Sequence, residues 1–79
     1  RNPMHEQMRQ TFLAEARDLV ADLDDGLRRL RAGDRDPELI ARLFRAAHSI
    51  KGSGGMFGLV PLVGFTHVVE NLLDRVRGG

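Results

Sequence analysis

Apolar residues fall in three blocks along the chain, and each block has a helical period. Phe12, Ala16, Leu19, Leu23, Leu27 and Leu30 recur at spacings of three and four, with Arg17, Asp18, Asp22, Asp24, Arg28 and Arg31 mostly on other faces. That pattern predicts an amphipathic helix from about Met4 to about Ala32, stopped by a left-handed residue at Gly33. Asp34-Arg35-Asp36-Pro37 reads as a turn into a new helix, with Asp36 as N-cap and Pro37 at the first helical position. The second block places Ile40, Leu43, Ala47 and Ile50 on one face, flanked by Phe44. Met56, Phe57 and Leu59 surround a turn at Gly58. Pro61 then opens a third helix with Leu62, Phe65, Val69, Leu72, Leu73 and Val76 inward, closed by Gly78-Gly79.

Where the second helix ends is open at this point. Gly52, Gly54 and Gly55 each weaken a helix by ~1 kcal/mol relative to Ala, so the helix either stops at Gly52 or continues through all three. Three amphipathic helices with short connections predict an all-α antiparallel bundle in a single domain. The apolar faces of the first and third helices are wider than a small three-helix core covers. A fourth helix is therefore expected after Gly79, or from a second copy of the chain in a homodimer.

Composition narrows the classes of function. There is no cysteine, which rules out disulfides and thiolate metal sites and is compatible with a reducing cytoplasm. Twelve basic and eleven acidic side chains give a net charge of +1 without a basic stripe, so a nucleic-acid partner is not expected. No stretch approaches the ~20 apolar residues of a membrane span, and Arg1 to Met8 is too polar for a signal peptide.

The chemistry concentrates in Leu43 to Leu59, LFRAAHSIKGSGGMFGL. On a helix, Ala41, Arg45, His48, Gly52 and Gly55 share one stripe beside the apolar face, so the His48 ring is expected to face solvent. Lys51 sits one turn on, at i+3, where its ammonium reaches a group carried on the imidazole. A neutral imidazole is a nucleophile near pH 7. A phosphoryl group on it brings close to two negative charges, which Lys51 would offset. A partner carrying an accepting carboxylate needs close approach, and glycine at 52 and 55 leaves room for it. Taken singly, a surface histidine, a nearby lysine or a glycine-rich stretch signifies little; the combination is what points to phosphoryl chemistry.

His67 and Glu70 share a face of the third helix at i, i+3. Three readings stand side by side. They are a solvated polar pair; or they ligate zinc, with His48 and the remote His5 the only further nitrogens; or Glu70 reaches His48 and accepts its Nδ1–H, fixing the tautomer with Nε2 outward. No nucleotide loop or paired-carboxylate metal site supports an enzyme complete in itself. A docking or dimerisation module without phosphate is the alternative.

HSIKGSGGMFGL, followed nineteen residues after His48 by His67 and twenty-two after it by Glu70 in THVVENLLDRVRGG, resembles the Hpt (P1) domain of CheA-type chemotaxis histidine kinases. The resemblance runs from Phe12 to the end of the chain. It implies that His48 is phosphorylated at Nε2, with Lys51 beside it, Glu70 hydrogen-bonded to it and His67 in the surrounding polar network. It further implies that Gly52 opens the docking surface, to which Arg45 and Gly55, on the same stripe, are assigned with it. The family's fold is a four-helix bundle, so the fourth helix has no counterpart here. The implied partners are a histidine-kinase ATP-binding domain, which holds the Mg-ATP, and a receiver domain of the CheY or CheB kind. No cofactor is implied for the domain itself, and the implied location is cytoplasmic. Hpt modules of other phosphorelays are a second option, although those shorter relatives do not generally carry the glutamate.

Overall fold

A computed structural model describes residues 3–78 as three α-helices: α1 (Pro3–Arg31), α2 (Pro37–Met56) and α3 (Val60–Gly78). α2 lies between the other two; α1 and α3 each pack on it and not on one another. Both connections use the same glycine device. Gly33 takes φ +107° while Asp34 N–H donates to Arg29 O at 2.9 Å; Gly58 takes φ +69° while Leu59 N–H donates to Gly54 O at 2.8 Å. Each bond spans a six-to-one turn and satisfies a carbonyl left over at a helix end. At the start of α2, Asp36 caps as expected, its Oδ1 accepting from Glu38 N–H at 3.0 Å, with Pro37 following.

The core is a stack of aliphatic side chains centred on α2: Leu39, Ile40, Leu43, Ala46, Ala47 and Ile50 meet Leu23 and Leu30 of α1 and Val69 and Leu73 of α3. Gly26 marks the tightest point. A Cβ there would collide with the Leu43 side chain, so the α1–α2 approach depends on its absence. At one end of the molecule, Phe57 stacks on Phe12 with ring centroids 5.2 Å apart, tying α1 to the α2–α3 corner.

Apolar positions alternate by three and four in the manner of a bundle seam, and only half of each outer seam is covered. On α1, Ala16, Leu23 and Leu30 are buried while Leu13 and Val20 are about 40% exposed. On α3, Val69 and Leu73 are buried, but Phe65 and Leu72, expected inward, are each 45% exposed. The reason is that α3 has one neighbour among the described elements, so only one side of its wide apolar face is covered.

Candidate functional site

α2 continues through Gly52, Gly54 and Gly55 to Met56, which settles the boundary left open by the sequence. The helix survives its glycines because Ile50 and Gly54 are packed against its neighbours, and tertiary packing outweighs weak propensity. Continuity is what makes the site. His48, Gly52 and Gly55 follow one another on an exposed stripe, and a Cβ added at either glycine would meet nothing within 4 Å. The face beyond His48 is therefore bare backbone over two turns. Arg45, one turn before it, is exposed and pairs with Glu38 at 3.0 Å.

His48 itself is exposed and makes no side-chain hydrogen bond to a described residue. The Glu70 carboxylate goes instead to Lys51, whose Nζ donates to Oε1 at 3.0 Å and Oε2 at 3.1 Å. The expected His48–Glu70 hydrogen bond is not formed. A two-oxygen, charge-assisted contact to an ammonium outcompetes a single bond to an exposed imidazole, and the pair is sheltered, with side chains 30% and 21% exposed. His48 and Glu70 nonetheless share the rim of one hollow with Phe44, Arg45 and Ser49. Exposed His67 makes no hydrogen bond to a described residue and so stands outside this cluster, contrary to its expected place in the polar network.

Chemically, the site is an accessible imidazole on an open helical ridge, with an ammonium on the same helix anchored by a carboxylate from the next. The hollow that His48 shares with Glu70 is open to solvent. A family model described as "Hpt domain" matches residues 7–79. The chain belongs to the Hpt domain family. As an Hpt domain it is a histidine-phosphotransfer module, and its all-α bundle agrees with that assignment.

The Hpt domain is 49% identical over 71 residues to the chemotaxis protein CheA of Rhizobium meliloti, covering 90% of this chain and 9% of that protein. It is likewise 49% identical over 70 residues to CheA of Salmonella typhimurium, covering 89% and 10%. With the sensor histidine kinase CheAY of Helicobacter pylori it shares 38% identity over 74 residues, covering 94% and 9%. The chain thus spans about a tenth of the length of the curated relatives it matches. No solved structure gives a significant match. No helix among the described residues is long and apolar enough to cross a membrane.

Several structural residues were not visible in the sequence pattern. Gly26 gave no sign of its close approach to Leu43; its place within the α1 apolar band was the available clue. Leu39 and Ala46, outside the expected face, are 4% and 7% exposed because α2 is covered on two sides.

Proposed function

We propose that His48 carries a phosphoryl group between a histidine-kinase catalytic domain and an aspartate of a receiver domain. The observation that supports this most directly is the open ridge of His48, Gly52 and Gly55 with Lys51 pinned beside it. In the first step the Nε2 lone pair attacks the γ-phosphorus of ATP, the P–O bond to ADP breaks, and Nδ1 keeps its proton. In the second, an aspartate oxygen attacks phosphorus and the N–P bond breaks. Its electron pair returns to Nε2, leaving an acyl phosphate on the partner. Lys51, held one turn away by Glu70, offsets the charge of the bound phosphoryl group; Glu70 positions Lys51. Gly52, Gly55 and Arg45 form the surface over which the partner docks.

In this reading the chain is phosphoacceptor and phosphodonor, while Mg-ATP is held by the kinase domain, in a longer cytoplasmic protein of CheA type. The likeness to CheA proteins supports chemotaxis signalling as the setting and a CheY- or CheB-like receiver as the acceptor. The half-covered seams, with Leu13 and Val20 on α1 and Phe65 and Leu72 on α3, support self-association of the 79-residue chain through these exposed apolar residues. A monomer in light scattering at micromolar concentration contradicts that part alone.

The test is phosphorylation by a separately expressed CheA-type kinase core with radiolabelled ATP. Acid-labile label is expected on the wild type, absent from His48→Gln, and chased onto an added receiver domain. A folded wild type that stays unlabelled, with His48→Gln binding the same partners equally well, favours a phosphate-free docking module.

A further inference from the structure

The hollow that His48 shares with Phe44, Arg45, Ser49 and Glu70 holds one cation among its lining residues, Arg45; Lys51 does not line it. Side chains on an α-helix lean toward its N-terminus, so the His48 ring overhangs the turn that carries Phe44 and Arg45. Arg45 lies three residues before His48, roughly 4.5 Å along the helix axis. A group carried on the imidazole is therefore brought toward Arg45. The same lean takes Arg45 away from His48 in the unmodified chain, to Glu38 two turns back, where Nη2 donates to Oε1 at 3.0 Å.

The charges around the hollow leave a deficit once His48 is phosphorylated. Lys51 and Glu70 are bound to each other through both carboxylate oxygens and together sum to zero. A phosphoryl group adds close to two negative charges beside the Glu70 carboxylate. Arg77 lies 4.6 Å over the Phe44 ring, but Asp74 holds it at 2.9 Å and it does not line the hollow. Arg45 is different, because its present partner holds it loosely. The side chains of Arg45 and Glu38 are 63% and 70% exposed, and an ion pair that open to water is worth little. A phosphoryl group offers the guanidinium a doubly charged acceptor whose oxygens match its planar fork.

We propose that Arg45 is a ligand of the phosphoryl group on His48: on phosphorylation its guanidinium leaves Glu38 and binds the phosphoryl oxygens over the hollow. The inference rests on the phosphotransfer reading above and adds to it a residue that holds the transferred group. It also gives Glu38 a role, as the competitor from which Arg45 must be drawn. Glu38 is ten residues before His48, roughly 15 Å along the helix axis. That is beyond the screening length at physiological salt, so Glu38 influences the phosphoryl group chiefly through Arg45.

The test measures the equilibrium constant for moving the γ-phosphoryl group of ATP to His48 Nε2, which leaves ADP. A CheA-type kinase core is added in catalytic amounts, and the end point is approached both from ATP and from the purified phosphorylated chain with ADP. The core is only the catalyst, so a lost docking contact slows the approach and leaves the end point where it was. Arg45→Gln, shown to be folded by circular dichroism, is expected to shift the end point toward ATP roughly 3- to 10-fold, the scale of one charge-assisted contact at an open site. Arg45→Lys should recover part of that shift. Glu38→Gln should move the end point about 2-fold the other way, and should have no effect in an Arg45→Gln background. An unmoved end point in folded Arg45→Gln overturns the inference, leaving Arg45 to docking alone. A Glu38→Gln effect that persists without Arg45 overturns the exchange of partners. A folded wild type that takes no label overturns the phosphotransfer reading itself, and this inference with it.

Discussion

Gly54 and Gly52 stand two residues apart on one helix and face opposite worlds. Gly54 is buried, and a Cβ on it would lie 3.5 Å from both Leu62 and Val63. Gly52 is exposed, and a Cβ on it would meet nothing within 4 Å. Both carry the same cost in helix propensity, so that cost cannot explain both. At Gly54 the small residue lets α3 approach α2, and its role is complete within this chain. At Gly52 no neighbour in the fold requires smallness, so the requirement, if there is one, lies outside the molecule. The inner seam of α2 is decided by packing and the outer stripe by access.

Substitutions separate the two roles. The largest effect on stability is expected on the packed side, from Gly26→Val, because Leu43 is 2% exposed and has little room to turn away. The expected loss is about 3 kcal/mol in urea denaturation, the upper range for overpacking. Gly54→Leu should follow at about 2 kcal/mol, while Gly54→Ala should be neutral or better, since its Cβ makes ordinary contacts. If Gly54→Leu leaves stability unchanged, the contrast between the two glycines collapses.

An intermediate case tests the link between seam and stripe. Glu70→Gln removes the carboxylate that holds Lys51 across the α2–α3 boundary. A partly sheltered pair of this kind is worth about 1 kcal/mol of stability. Phosphorylation of His48 should slow as well, and a Glu70→Asp variant should recover part of the rate by keeping the charge. A loss of stability with no change in labelling would make Glu70 a purely structural residue.

Much of this arrangement was legible because it is local. The three-four spacing of Phe12 to Leu30 marks α1, Gly33 marks its end, and Asp36-Pro37 marks the start of α2, each through chemistry within a few residues. The stripe of His48, Gly52 and Gly55 follows from helical geometry once α2 is continuous, but that continuity is set by contacts with α3, which local propensity does not contain. Phe65 and Leu72 obey the helical pattern and yet are exposed, because a pattern reports which face is apolar and not what covers it. The choice of Glu70 between Lys51 and His48 was the least legible. All three side chains are within reach by spacing, and the outcome turns on which donor offers the better geometry.

The smallest expected effect is also the sharpest on the role of access. Gly52→Ala adds a methyl group to an exposed helical position with open space around it. The folded chain should therefore gain up to ~1 kcal/mol from helix propensity, read as a rise in the urea midpoint. If Gly52 serves docking, the same change should leave the fold better and the function no better, and Gly52→Leu should make the division plain. Leucine retains most of alanine's propensity, so stability should stay at or above wild type while transfer from His48 slows. Stability and transfer moving in opposite directions at one position is the signature of a residue kept small for a partner. Should Gly52→Leu transfer as fast as wild type, the bare ridge beside His48 is not a docking requirement, and the glycine has no explanation in this fold.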